Sequence, residues 1–338
     1  MNIAHFSDMQ LAGQRLMAGF HGTELNDELK FLIETLKVGG IILFSRNIVD
    51  PKQIAELCRS AREFAASAGQ PPLFIAIDQE GGQVARLKPP FTQFAGNPSM
   101  TGKKDAFFFA ETTAAELKQV GINMDMAPVM DVAPSGIDSV MARRAFGDDP
   151  LWVSHMGSHV IDCLQKNGIM AVAKHFPGIG RTTLDSHVER PTLSVDLENL
   201  AEFDLVPFKA AIYHDVSTIM LSHIFYDQID SDWPASLSPI IVKDLLRKRL
   251  DFDSLVITDD LDMGAIKNHY DIRTITRQVL NADIDMALIC HSLSDMEQAF
   301  EEILKEFKRA DTIKTNGWKS VGRIMTLKQK YLSSTTAG

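Results

Sequence analysis

Four groups of residues combine acids, bases and cations at spacings suited to proton transfer and to attack on an electrophilic carbon. The first begins Lys174-His175-Phe176-Pro177-Gly178-Ile179-Gly180-Arg181 and continues to Asp185-Ser186-His187. Pro177, Gly178 and Gly180 enforce an irregular loop. In extended backbone, residues two apart point to the same side, so Asp185 can orient the His187 ring. A carboxylate beside an imidazole fixes its tautomer and favours the imidazolium, which makes a proton carrier near neutral pH. The same pair also fits a plain solvated loop. The second group is Asp259-Asp260-Leu261-Asp262. Acids this close repel one another, so their roles must differ. One deep carboxylate suits a nucleophile, and the others suit capping of the next helix; all three also fit capping or solvation alone.

The third group is Asp78-Gln79-Glu80-Gly81-Gly82 with Arg86. A strand-end Asp suits bidentate hydrogen bonding to vicinal hydroxyls, and two glycines allow a ligand to come close. Arg86 either pairs with Asp78 or reaches substrate. The fourth offers Arg143 and Arg144 ahead of Phe146-Gly147, with at least one arginine expected on the surface. His175, Asp185, His187, Asp125, Asp131 and His223 supply metal-ligand types, but no H-E-x-x-H or other compact ligand spacing occurs, so no metal is expected. Neither G-x-x-x-x-G-K-[ST] nor G-x-S-x-G is present, which removes the best signals for phosphoryl transfer and serine hydrolysis.

The elements that position these groups follow from apolar patterning. Short runs nearly continuous in apolar residues read as buried parallel strands: 15–20, 39–44, 72–77, 122–128, 169–173, 217–221, 254–258 and 285–289. Between them lie helical stretches such as ELNDELKFLIETLKV and DPKQIAELCRSAREFAASAG. Asp50-Pro51 and Ser238-Pro239 read as helix starts, and Gly69 and Gly168 as helix ends. Eight strand–helix repeats predict an α/β fold, a (β/α)8 TIM-type barrel in a single domain over 1–338. Its core covers roughly 10–300, with further helices over 301–338 packed outside. An open doubly wound sheet is the runner-up. Five apolar runs lead directly into ionisable residues, namely Asp78, Lys174-His175, His223, Asp259-Asp260 and Cys290-His291. In a barrel, those strand ends converge on one face. Solvated loops explain Ser or Asn after a strand, but Lys-His and Asp-Asp are costly there unless paired.

Composition narrows the classes. The 338 residues are 45% hydrophobic and 23% charged, too apolar for a disordered chain. A formal net charge of −10 repels a phosphate backbone, so no nucleic-acid partner is expected. No apolar run approaches a bilayer span, and no membrane partner is expected. The N-terminus lacks a basic segment followed by an apolar one, so no signal peptide is expected. Cys58, Cys163 and Cys290 are scattered and odd in number, which fits a reducing cytoplasm.

IDQEGGQVARL, RRAFGDDP, KHFPGIGRTTLDSH and ITDDLDM, in that order, resemble glycoside hydrolase family 3, within it the bacterial single-domain β-N-acetylglucosaminidases (β-hexosaminidases). The resemblance spans roughly residues 10–300, and the second domain of many members is expected to be missing. It implies a retaining exo-β-N-acetylglucosaminidase acting through a covalent glycosyl-enzyme. Asp259 matches the nucleophile, and Asp185 with His187 match the general acid/base dyad used in place of a second carboxylate. Asp78, Arg86, Arg144, Lys174 and His175 match positions that hold the terminal N-acetylglucosamine. No metal or cofactor is implied. The expected partner is a small carbohydrate, peptidoglycan fragments in the cytoplasm, bound by a monomer or weak homodimer. Ile179 departs from the family's usual His, which puts aglycone preference or affinity in doubt, and Ala145 replaces a frequent Ser. Alternative readings are a phosphorylase, because a histidine repels incoming phosphate less than a carboxylate, and a sugar-binding protein without catalysis. A β-glucosidase is a weaker option.

Overall fold

The computed structural model describes residues 3–183 and 191–333. Asp185 and His187 lie outside the described residues. Eight parallel strands close into a barrel in chain order. They are β1 (Leu16–Ala18), β2 (Gly40–Leu43), β3 (Phe74–Ile77), β4 (Met124–Asp125), β5 (Met170–Phe176), β6 (Thr218–Leu221), β7 (Leu255–Asp260) and β8 (Met286–Ile289). Each expected apolar run contains one strand, and the barrel replaces the open-sheet alternative. β5 and β7 run past their apolar segments, through Lys174-His175 and Asp259-Asp260. The groups placed in loops by hydropathy are therefore strand residues.

Side chains alternate across each strand. Met17, Phe74, Ala76, Met124, Met170, Val172, Leu255, Ile257, Met286 and Leu288 face inward and pack on one another. Leu16, Ala18, Ile41, Ile75, Ile77, Ala171, Ala173 and Val256 face outward against the helices. Methionine dominates the interior because an unbranched side chain fills irregular gaps. Continuing the two-residue period past Ala76, Val172 and Ile257 brings Asp78, Lys174 and Asp259 to the inward face. The alternation that builds the core thus delivers the ionisable groups into one cavity.

The helices begin where local chemistry dictates. Asp50 Oδ1 accepts from Gln53 N at 2.8 Å, with Pro51 in the first turn of Pro51–Ser67. Asp149 caps Pro150–Lys166, and Asp271 caps Ile272–Asn281. Gly69 and Gly168 take φ of 68° and 82° just past helix ends, a conformation that costs glycine little. Ser238 Oγ accepts from Ile241 N at 3.0 Å at the start of the π-helical turn run Ile240–Arg249.

The end of the chain departs from expectation. Leu293–Arg309 is the helix that follows β8. Asp311–Leu332 does not merely pack outside, because Ile324 and Leu327 join the inward cluster with Met17, Phe74 and Met286. Lys328 comes with them, 1% exposed, its Nζ donating to Gln14 Oε1 at 2.6 Å and standing 5.0 Å from the Phe74 ring centre. Burial drives its ammonium pKa well below the usual lysine range.

A lysine pKa depressed on folding gives stability that is full above the unfolded value and lost as pH falls through the folded one. Lys328→Met removes that dependence, while Gln14 loses its donor by an amount that does not vary with pH. Urea midpoints from pH 10 down to pH 6 should therefore favour the Met variant progressively, by about 1.4 kcal/mol for each pH unit between the unfolded lysine pKa and the lower native one. A margin independent of pH would show that the amine stays charged in the fold.

Candidate active site

The C-terminal ends of the strands surround a cavity of about 400 Å3. Asp78, Arg86, Arg144, Lys174, His175 and Asp259, the described residues expected to form the site, all line it. Arg143 is exposed, so it is the surface member of the arginine pair.

Lys174 holds one wall together. Its Nζ lies 2.8 Å from Asp78 Oδ1 and 2.6 Å from Glu80 Oε1, and the side chain is 2% exposed. Arg86 Nη2 donates to Asp78 Oδ2 at 3.1 Å. Arg144 forks onto Glu80, Nε to Oε2 at 2.9 Å and Nη2 to Oε1 at 2.6 Å. Burial works to raise the carboxyl pKa of both acids, but Lys174 with Arg86 or Arg144 outweighs it. Asp78 and Glu80 are held below the ordinary carboxylate range. Burial works to lower the Lys174 pKa, and the two carboxylates overcome it and raise it. The wall is an ordered set of charges with hydrogen-bonding capacity left toward the cavity, which suits sugar hydroxyls.

Glu80 was read only as part of the turn after Asp78, and Asp131 only as a metal-ligand type; neither was expected to bind substrate or catalyse. Asp131 is fully buried, and its Oδ2 lies 2.7 Å from His175 Nδ1. It also accepts from the backbone N of His175 at 3.2 Å and of Ile179 at 2.8 Å. That carboxylate fixes the His175 ring and the start of the following loop together. Gly180 then passes so close to the Val132 carbonyl oxygen that an added Cβ would collide with it. Both acids sit in segments whose sequence signal is a strand end or a turn, and only pairing across the barrel reveals them.

Asp259 stands half-buried at the end of β7. Its Oδ1 accepts from Asp260 N at 2.8 Å. Burial works to raise its pKa, but His223, His175, the Asp260 N–H and Lys174 hold it below the ordinary range. It is an ionised carboxylate facing the charged wall. Asp260 has the opposite character: burial and the neighbouring Asp262 and Asp259 charges push it up to about 7 despite the Asp262 N–H. The carboxyl pKa values of two adjacent acids are thus pushed in opposite directions.

Two expectations are corrected here. Asp260 and Asp262 do not cap the next helix, Gly264–Lys267, which has no side-chain cap. Asp260 Oδ1 accepts from Asp262 N and Cys290 N, each at 3.1 Å. Asp262 Oδ2 accepts from His291 N at 2.8 Å and Ser292 N at 3.2 Å, which ties β7 to the start of the helix after β8. Gly81 and Gly82 serve chain packing, not ligand approach. At φ of 82° and 62° they turn a hairpin, and an added Cβ on Gly82 would meet Ala95 O and Gly96 Cα at 3.0 Å. The described residues weighed as metal ligands have other partners. Asp125 accepts from Gln79 N, and His223 contacts Ser236 Oγ and Asp260 O. Among the described residues no His, Cys, Asp and Glu cluster forms a metal site.

The model of the glycosyl hydrolase family 3 N terminal domain matches residues 8–327. A β-hexosaminidase of Nitrosomonas eutropha is 34% identical over 306 residues, 88% of this chain and 86% of that one. One from Pseudomonas aeruginosa is 34% identical over 288 residues, 84% of each chain. The solved family 3 β-N-acetylglucosaminidase from Paenibacillus sp. FPU-7 superposes with a TM-score of 0.94 at 34% identity. That match covers 98% of this chain and 64% of that one, so this chain spans just under two-thirds of that protein. The β-N-acetylhexosaminidase of Beutenbergia cavernae gives a TM-score of 0.90 at 26% identity, covering 96% and 99%. With a match this long and relatives this similar, the chain belongs to glycosyl hydrolase family 3 and is a glycoside hydrolase.

Proposed function

We propose that this enzyme is a retaining exo-β-N-acetylglucosaminidase that releases terminal N-acetylglucosamine from soluble glycans, with cytoplasmic peptidoglycan fragments as substrates. One observation carries the mechanism: an ionised, inward-facing Asp259 shares a cavity with the ion-paired Asp78–Lys174–Glu80–Arg144 wall. β-Hexosaminidases and β-N-acetylglucosaminidases among its relatives support the choice of sugar. Three free, buried cysteines are compatible with a reducing compartment. Among the described residues no helix is long and apolar enough to cross a membrane.

In this reading, Asp78, Arg86, Arg144, Lys174 and His175 hold the terminal sugar by its hydroxyls. Asp259 then faces the anomeric carbon. Its carboxylate oxygen bonds to that carbon as the glycosidic C–O bond breaks, and His187 gives its proton to the departing oxygen. Asp185 orients His187. Water attacks the anomeric carbon, His187 takes the water's proton, and the bond from that carbon to the Asp259 oxygen breaks, releasing the sugar and the Asp259 carboxylate. Asp260, its carboxyl pushed up to about 7, ionises far less readily than Asp259, which favours Asp259 as the anion at the point of attack. No cofactor enters this cycle.

Asp259→Ala should lower turnover of nitrophenyl β-N-acetylglucosaminide by about 10^3-fold or more, with little change in thermal midpoint. Near-normal turnover removes Asp259 from the nucleophile role. His187→Ala should slow substrates with poor leaving groups more than those with good ones; equal loss across the series argues against His187 as the acid. With phosphate present the product should be free sugar, and a sugar 1-phosphate would instead make the enzyme a phosphorylase.

A further inference from the structure

Residues 177–183 and 191–193 flank the stretch of sequence that contains Asp185 and His187. Both flanks are tied to the same neighbours. On the entering side, Tyr226 Oη donates to Gly178 O at 2.7 Å, and Val140 N donates to Thr182 O at 3.1 Å. On the leaving side, Phe225 N donates to Pro191 O at 3.0 Å, and Leu193 N donates to Phe225 O at 2.8 Å. Phe225 and Tyr226, adjacent residues beyond β6, thus hold one flank each.

The entering flank has a further tie between side chains. Arg181 Nε donates to Asp204 Oδ2 at 2.8 Å, and the guanidinium carbon stands 4.6 Å from the centre of the Phe203 ring. The Asp204 side chain is 1% exposed and that of Arg181 31%, so the carboxylate is fixed in the fold and the arginine reaches in to it. Asp204 stands at the start of the helix Leu205–Tyr213, yet its side chain caps nothing there. Gly178 packs directly on it: an added Cβ would lie 2.8 Å from Asp204 Cβ. Burial pushes the Asp204 carboxyl up to about 6, with Arg181 opposing the rise and Asp131 adding to it. Among the described residues, Arg181 is the only cation in contact with it. Neither member of the pair lines the catalytic cavity, although Ile179 and Thr182, which bracket Arg181, do.

We infer that Arg181 and Asp204 are a positioning pair for the general acid, holding the chain four residues ahead of Asp185 and six ahead of His187 so that the dyad meets the glycosidic oxygen at a constant place. The inference rests on the proposed role of His187 and adds the contact that sets its reach. Six residues of chain span at most about 22 Å, so the position of Arg181 bounds where His187 can lie. A catalytic group misplaced by about 1 Å can cost about 10^2-fold in rate. Asp259 belongs to β7 and is held by the Asp260 N–H, so its position does not depend on this pair. Asp131 also ties down the entering flank, but it holds His175 of the sugar-binding wall as well. Arg181 and Asp204 touch neither the wall nor Asp259, and a change in them isolates the delivery of the acid.

The test is kcat/KM, which reports formation of the glycosyl-enzyme, for aryl β-N-acetylglucosaminides whose leaving groups run from dinitrophenol to phenol. Arg181→Met should slow the phenyl substrate by about tenfold or more and the dinitrophenyl substrate by less than about twofold, because only the first needs a proton on its departing oxygen. Asp204→Asn should steepen the dependence on leaving group to the same degree, and the double variant no further than either single one. Arg181→Lys, which keeps the cation, should recover part of the loss. If Arg181→Met fails to fold, Asp204→Asn carries the comparison. Variants that slow every substrate equally, or none, overturn the inference and leave the pair a structural contact. His187→Ala with an unchanged dependence on leaving group overturns the acid reading itself, whatever the pair variants do.

Discussion

A single buried ammonium organises the charged wall. Lys174 Nζ sits between Asp78 and Glu80 with almost no solvent exposure. An isolated charge so placed would be expensive, and removal of one partner from a buried ion pair typically costs about 3–5 kcal/mol. The cost is offset only while Asp78, Glu80, Arg86 and Arg144 stay in register. Asp78, Glu80 and Arg86 come from the end of β3 and the hairpin after it, whereas Arg144 comes from a loop and Lys174 from β5, far along the chain. Their mutual neutralisation therefore holds separate parts of the barrel mouth in one arrangement. A network fixed in advance loses little entropy when a polyhydroxylated ligand arrives. Its charges also help keep Asp259 ionised from across the cavity.

The barrel supplies the geometry through the simplest property of a strand. Inward and outward positions alternate, so the rule that places Ile257 in the core places Asp259 in the cavity. That is why so much of the architecture was legible from the chain alone. Each apolar run marks a strand, Asp50-Pro51 marks a helix start, and ionisable residues after the runs mark the functional face. The exact strand ends were not legible, because hydropathy stops at the first polar residue while the hydrogen-bond ladder does not. Val172, Ala173 and Phe176 pair with β6, and the ladder crosses Lys174 and His175 on the way.

Other features depended on contacts that no local pattern reports. Glu80 reads as part of a glycine turn, yet it is the acid shared by Lys174 and Arg144. Asp131 follows an apolar run like many loop acids, yet it clamps His175 and Ile179. Asp260 and Asp262 resemble capping residues by type, but their carboxylates meet the backbone of the chain after β8. The last helix carries an amphipathic pattern consistent with the outer ring, and only the packing of Ile324 and Leu327 shows it reaching the barrel interior. In every case the missing information was a partner more than 20 residues away.

The account turns on Asp259 as the atom donor to the anomeric carbon, and mass spectrometry of the enzyme caught during turnover tests this most directly. In a His187→Ala background, the ester should form readily from a substrate with a good leaving group and break down slowly for want of a base. Acid quenching and proteolysis should then yield the peptide containing Asp259 heavier by one N-acetylhexosamine residue, with the sugar on that aspartate. Turnover that proceeds with no adduct, or an adduct on another side chain, would contradict it.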